Sequence, residues 1–323
     1  MIKRLIKKLL HIDYLKAMLV FHYDARRFVL HGAAYGMRNK TAAEARIILD
    51  YHILEKGITM PMRHVPFGQK VAIELVDLIT MFMEHYGTTK QIDHAVEVLK
   101  EYHDIHSNAN AEAWNGFEHI EQFLAECNAK PSSQLHFSRE AYYSWKDKPF
   151  PVFAQWRHTI RNYSSSPLDI AKIKKAVGLA ISAPSACNRQ HIRVHCVEDK
   201  SICSRILELQ GGNRGFGNLA DKVLIVTADL RAEIGGIRER YDPYVNGGIF
   251  LMNLSYALSY CEVAHCILTC SLERDKDMMI RSLGRIPDNE VVVAMLCCGE
   301  PPDNFSVAVS PRRDVDEVLS FVK

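Results

Sequence analysis

Several features that define common protein classes are missing from this chain of 323 residues. No stretch of eighteen apolar residues is free of charge, so no membrane-spanning helix is predicted. Lys and Arg number 40 against 38 Asp and Glu, a net charge of +2. Such a balance provides no overall field for nucleic acid or an acidic polymer. Hydrophobic residues make up 48% of the chain, enough to bury a sizeable core, so disorder of the whole chain is excluded.

The motifs of several enzyme classes are also missing. No two cysteines have C-x-x-C spacing, which argues against a zinc ribbon or a dithiol redox site. The chain has no HExxH or G-x-S-x-G, and its first half has no Glu-x-x-His, so no metal site and no hydrolase elbow are predicted. The nine cysteines are odd in number and mostly stand in apolar runs. This usage is typical of reduced, buried thiols, and it predicts a cytoplasmic protein.

The composition predicts three regions. Residues 1–130 have apolar residues at helical spacing and are predicted to be all-helical. Residues 131–151 contain three prolines and several Ser and Lys, and are predicted to be a linker. Residues 152–323 alternate between helix and strand patterns. The strands predicted there are Ile192–Glu198, Val223–Asp229, Ala264–Thr269 and Val291–Cys298.

The first ten residues have a basic amphipathic pattern. Their apolar residues share one helical face and four Lys or Arg lie opposite: Ile2, Leu5, Ile6, Leu9 and Leu10 against Lys3, Arg4, Lys7 and Lys8. A helix that docks on its own protein is favoured. The alternative is an interfacial helix on anionic lipid or on a partner.

A dense group of donors stands at Arg157–Arg161, of sequence RHTIR. Guanidinium groups bind phosphate bidentately, and a hydroxyl adds a short hydrogen bond. The alternative is a solvated basic turn. A second basic pair, Arg312 and Arg313, could join a phosphate clamp, or could be surface charge beside a helix.

A run of small residues precedes Asn188 and Gln190 in the sequence APSACNRQ. Small residues let a planar ligand approach the backbone, and Asn and Gln offer donors and acceptors to a heterocycle edge. The alternative is an ordinary helix–turn–strand junction. A further glycine motif, GFGNLA at Gly215–Ala220, fits a dinucleotide fingerprint. However, its strand follows instead of preceding it, so no Rossmann site is predicted.

RHTIR, APSACNRQ and PRR occur in the order of three motifs of the nitroreductase family of FMN-dependent oxidoreductases, which the chain resembles from about Trp156 to Lys323. The resemblance implies an α+β fold, with a mixed sheet flanked by helices after the all-helical N-terminal region. It also implies a homodimer with two FMN molecules at its interface. The residues it assigns to FMN are Arg157, His158, Thr159, Arg161, Pro184, Ser185, Ala186, Asn188, Gln190, Asn213, Leu268, Thr269, Arg312 and Arg313.

The resemblance also implies a role for each group of residues. RHTIR would hold the FMN phosphate and ribityl chain, and Pro184–Asn188 would reach the ring of the partner's flavin. Backbone groups near Leu268–Thr269 would face the reactive edge, and Asn213 would contact the ring. The implied function is hydride transfer from NAD(P)H through FMN to an electron-poor small molecule such as a nitro-compound or quinone. The alternatives are a flavin-binding scaffold and a specialised FMN-dependent dehydrogenase or dehalogenase.

Departures from the family pattern concern the substrate pocket. Thr159 stands for the usual Ser, His191 stands for the usual Pro, and the stretch between Asp229 and Val245 is short. Another element is therefore expected to cover the flavin. The candidate is Tyr51–Gly68, which resembles a stretch found in relatives with a helical extension. The alternative is a set of salt bridges at a helix end.

Overall fold

The computed structural model describes residues 12–31, 39–127, 131–233 and 236–322. They divide into two compact units, and each is described by itself. The first holds the described residues up to Leu54, those of Val65–Ser132 and those from Ser310 on. The second holds Glu55–His64 and the described residues of Ser133–Val309. The amphipathic pattern of residues 1–10 lies outside the described residues.

The helices are α1 (Ile12–His31), α2 (Lys40–Ile58), α3 (Gln69–Tyr86), α4 (Lys90–Asn108), α5 (Phe117–Ala125), α6 (Arg139–Tyr143), α7 (Phe150–Trp156), α8 (Ile170–Ala180), α9 (Lys200–Gln210), α10 (Asp242–Tyr260), α11 (Arg274–Gly284) and α12 (Val315–Val318). The strands are β1 (Gln134–Ser138), β2 (Ile192–Val197), β3 (Lys222–Asp229), β4 (Ala264–Thr269), β5 (Glu290–Gly299) and β6 (Asn304–Ala308). None of these described helices is long and apolar enough to cross a membrane.

The first unit is helical, as predicted: no strand occurs among its described residues. Its core forms because apolar residues recur every three or four positions in α3 and α4, so each of these helices buries one face. On α3 this face includes Leu75, Ile79 and Phe82, and on α4 it includes Ile92 and Leu99.

The second unit contains a four-stranded sheet of order β2-β3-β5-β4 and a two-stranded sheet of β1 and β6. The α+β class is confirmed. Every strand pair among the described residues is antiparallel, however, so the predicted mixed sheet is not found there. The register gives the reason: Val197 at the end of β2 pairs with Val223 at the start of β3. The connection through α9 therefore returns the chain to the end of the sheet that it left.

The inner strands β3 and β5 of the four-stranded sheet are buried on both faces. Along β3, Val223 and Ile225 pack in one apolar cluster, and Leu224 and Val226 pack in another. Because side chains alternate along a strand, these clusters lie on opposite faces. A continuous apolar run is the sequence pattern of such a strand. All four predicted strands agree with the structure to within about one residue.

Residues 131–151, predicted to be a linker, contain regular secondary structure and buried side chains. They include β1, which pairs with β6 near the C-terminus, and the short helix α6. The aromatic residues Tyr142, Tyr143 and Trp145 are buried in the core of the second unit. Proline and lysine flank this stretch, but the aromatic residues within it determine its packing.

Candidate functional site

The segment RHTIR lies beside the edge strand β4. Helix α7 ends at Trp156, and Arg157 already has an extended conformation, with φ −64° and ψ 112°. The Ile160 amide donates a hydrogen bond to the carbonyl of His265 on β4, at 3.2 Å. Ile160 is buried, whereas Arg157, His158, Thr159 and Arg161 are half-buried. The core thus anchors the segment at one residue and leaves its donors partly accessible.

Tyr142 holds the same backbone. Its hydroxyl accepts a hydrogen bond from the His158 amide at 2.9 Å. Burial raises the pKa of Tyr142 to about 12, with a smaller opposite effect from its hydrogen bond to the His158 carbonyl. The phenol is therefore protonated and neutral at ordinary pH. The His158 ring donates from Nδ1 to the Trp156 carbonyl at 2.6 Å.

His265 is a neutral residue beside the cations. Its Nδ1 donates to the Val263 carbonyl at 3.0 Å, and its Nε2 accepts from the Ser255 hydroxyl at 2.8 Å. Burial lowers the pKa of His265 to about 4; the hydrogen bond to the Val263 carbonyl opposes this shift, and the nearby Arg157 charge adds slightly to it. The ring therefore supports the strand without adding positive charge to the site.

Arg161 has aromatic and thiol neighbours. Its guanidinium carbon lies 6.0 Å from the centre of the Phe216 ring, at the outer limit of a cation–π contact. Its positive charge also lowers the pKa of the Cys266 thiol, which burial raises more strongly. Among the described residues, Arg161 has no carboxylate within ion-pair distance. The site therefore contains positive charge that these residues leave unneutralised.

The predicted ring-binding turn is strained. Its φ angles at Cys187, Asn188 and Gln190 are 49°, 55° and 50°, a left-handed region that side chains disfavour. The Ser185 carbonyl accepts from the Asn188 amide at 2.9 Å, and the Ser185 hydroxyl accepts from the Gln190 amide at 3.0 Å. Local hydrogen bonds thus hold a conformation that costs free energy.

Arg189 anchors this turn and was missed by the sequence analysis. Its guanidinium lies 2.5 Å from Glu239, 3.2 Å from Glu233 and 3.3 Å from Asp242. The three carboxylates are close enough together to bind a metal ion, but the arginine already lies among them. The neighbouring residue His191, where the family has Pro, is buried 3.1 Å from Glu233.

Asn246 on α10 also supports the turn and was missed. Its Oδ1 accepts from the Ala186 amide at 3.0 Å. Its Nδ2 is buried and has no hydrogen-bond partner among the described residues. It lines a cavity of about 190 Å³ together with Pro184, Ser185 and Gln190. The only available signal was an amide within the long apolar pattern of α10.

The other predicted residues have structural contacts of their own. Asn213 donates from Nδ2 to the Leu207 carbonyl at 2.6 Å, at the end of α9. On β4, Leu268 is buried in the core, and the Thr269 carbonyl accepts from the Gln210 side chain at 3.0 Å. Their contact with a flavin stays a prediction.

Arg312 and Arg313 belong to the first unit. Arg313 pairs with Glu44 at 2.6 Å and with Glu317 at 2.9 Å, and these partners raise its pKa. Arg312 donates to the Ser310 carbonyl. Two carboxylates therefore already balance Arg313, and a phosphate role for this pair stays a prediction.

A family model described as "Nitroreductase family" matches residues 154–213. This range includes RHTIR, the turn and Asn213. The matching family is the one that the sequence motifs resemble. No curated protein matches the chain.

Three similar solved structures are NfrA2 of B. megaterium, the NADPH:FMN oxidoreductase of Vibrio harveyi complexed with NAD⁺, and a nitroreductase family protein of Streptococcus pneumoniae TIGR4. The first is 24% identical with a TM-score of 0.42, and the alignment covers 47% of this chain and 65% of that one. The second is 18% identical with a TM-score of 0.45, covering 53% and 76%. The third is 16% identical with a TM-score of 0.47, covering 54% and 100%.

Proposed function

We propose that this chain, whose residues 154–213 match the nitroreductase family model, is an FMN-dependent oxidoreductase. NAD(P)H is the proposed hydride donor. The proposed acceptor is an electron-poor small molecule such as a nitro-compound or a quinone. The family match supports the general class, and the residues of the site support the finer points.

RHTIR carries the proposal. It offers two guanidinium groups, an imidazole and a hydroxyl within five residues, held in place by Ile160 and Tyr142. Arg161 has no carboxylate partner among the described residues. A phosphate supplies the missing negative charge and accepts charge-assisted hydrogen bonds. The residues present therefore fit the phosphate and ribityl chain of FMN.

The turn fits the other end of such a ligand. A flavin ring offers carbonyl acceptors, and the buried Nδ2 of Asn246 is a donor without a partner. The strained backbone of Ser185–Gln190 is already held in one conformation by Arg189 and Asn246. We propose that this turn reaches the flavin of a partner subunit in a homodimer, as the family resemblance implies.

FMN, when bound, supplies the two-electron hydride chemistry, and the protein supplies binding, orientation and electrostatics. Arg157 and Arg161 bind and orient the anionic end. His265 stays neutral, with a pKa of about 4, so it provides structural support and no charge. The Tyr142 phenol keeps its proton, with a pKa of about 12, so it holds the RHTIR backbone and releases no proton.

Anaerobic stopped-flow reduction tests the enzymatic part of the proposal. The FMN-loaded protein is mixed with NADH or NADPH, and the loss of flavin absorbance is followed. The expected result is rapid bleaching by at least one of them, reversed when a quinone or nitro-compound is added. A protein that binds FMN and stays oxidised with both donors would be a flavin-binding scaffold, and the proposal would be wrong.

A further inference from the structure

The segment Glu55–His64 packs with the second unit, although α2 begins in the first. Its residue Met60 packs against the core of the second unit. A Cβ atom placed on Gly215 would stand 3.1 Å from the Met60 sulfur, and Gly215 has a φ of +85°. Gly215 directly precedes Phe216, over which Arg161 lies. The residues that directly follow α2 therefore pack beside the Phe216–Arg161 contact.

Lys56 lies in the last turn of α2, four positions before Met60, and is half-buried. Burial lowers the pKa of Lys56, and the charge of Arg161 lowers it further. Both cations also act on the Cys266 thiol, whose pKa burial raises and the two positive charges lower. Lys56 and Arg161 are thus electrostatic neighbours around one residue of β4.

This pair of cations has no carboxylate counterion among the described side chains. Within the parts of the chain that the structure describes, neither Lys56 nor Arg161 has a carboxylate within ion-pair distance. The charge of the neighbouring Glu55 raises the pKa of Lys56, but less than burial and Arg161 lower it. Two like charges that are partly removed from water destabilise each other unless an anion joins them. The alternative interpretation of Tyr51–Gly68, a set of salt bridges at a helix end, therefore does not account for Lys56.

We propose that Lys56 and Arg161 together bind a phosphate group of a ligand of the flavin site, so that the helical N-terminal region contributes a binding residue to it. The inference rests on the proposed function and deepens it. The phosphate belongs either to FMN or to the nicotinamide nucleotide that reduces it. Both sources offer the same chemistry, and the experiment separates them.

The experiment compares Lys56→Met with Lys56→Arg, which keeps the charge. Lys70→Met is the matched control, because the Lys70 side chain is 88% exposed in the first unit. Dissociation constants are measured by flavin fluorescence for FMN and for riboflavin, which lacks the phosphate. KM is measured for NADH and NADPH with the FMN-saturated protein. Melting temperatures show whether each variant is folded.

Loss of one charge-assisted hydrogen bond weakens binding about ten- to a hundredfold. If the phosphate is that of FMN, Lys56→Met weakens FMN binding by this factor and leaves riboflavin binding unchanged. If it is that of the nucleotide, FMN binding is unchanged and KM for NADH or NADPH rises. In both cases Lys56→Arg restores most of the loss, and Lys70→Met has no effect.

Two results overturn the inference. In one, Lys56→Met leaves FMN binding and both KM values unchanged. In the other, it weakens riboflavin as much as FMN, which indicates a general effect on folding. Wild-type protein that binds no flavin at all would instead overturn the proposed function, and the inference with it.

Discussion

Replacing His265 with Gln should remove an acid-sensitive contribution to the stability of the second unit. Gln offers both a donor and an acceptor, so it can keep hydrogen bonds to the Val263 carbonyl and to Ser255. It does not titrate. The substitution therefore changes the proton binding of the site more than its packing.

The magnitude follows from the pKa of His265, which falls from 6.5 to about 4 on folding. Between these values the unfolded chain binds a proton that the folded protein does not. Stability therefore falls as the pH drops from about 6.5 to about 4, and is unaffected by this group above that window. Over the whole window, the free energy of unfolding falls by about 3 kcal/mol, because one pKa unit corresponds to about 1.4 kcal/mol.

The assay is urea unfolding at several pH values between 4.5 and 7.5, followed by circular dichroism. The stability of wild-type protein should fall towards pH 4.5 more steeply than that of His265→Gln. His85→Gln is the control, because that ring is exposed, and it should follow the wild-type curve. Parallel curves for wild type and His265→Gln would refute the reasoning, as would an NMR titration of His265 near pH 6.5.

Three further changes test the supports of the site. Arg189→Ala should lower the melting temperature and weaken FMN binding more than Arg205→Ala does. Arg189 holds the turn against three carboxylates, whereas Arg205 forms one exposed pair. Equal effects of the two substitutions would contradict this. Gly215→Ala should destabilise by about 1–2 kcal/mol, whereas Gly178→Ala on α8, with open space around it, should stabilise by about 0.5–1 kcal/mol. Light scattering on the FMN-loaded protein should give twice 36.8 kDa, and a monomer that keeps its flavin would show that the turn does not serve a partner.

The core of the second unit was predictable because it depends on short-range patterns. Strands buried on both faces appear in the sequence as apolar runs, and β3 and β5 are clear examples. β1 and β6 escaped prediction because each has only five residues, and 166 positions separate the partners Asn304 and Ser138. Pairing at such a distance leaves no local pattern in the sequence.

The site was predictable only where a motif marked it. RHTIR and the turn were found because donor-rich or small residues are grouped along the chain. Arg189 and Asn246 were missed because their roles depend on residues about fifty or sixty positions away. The segment Tyr51–Gly68, which includes Lys56, was considered as a cover for the flavin or as a set of salt bridges. The part around Lys56 belongs to the second unit through tertiary contacts such as that of Met60 with Gly215, which leave no local pattern in the sequence.

FMN binding is the most direct test of the central claim. Purified protein is titrated with FMN, and the bound flavin is identified after denaturation. The proposal predicts one FMN per chain, and a dissociation constant that rises about ten- to a hundredfold in Arg157→Ala and in Arg161→Ala while both variants stay folded. Protein that binds no FMN, or equal affinity in both variants and wild type, would contradict it.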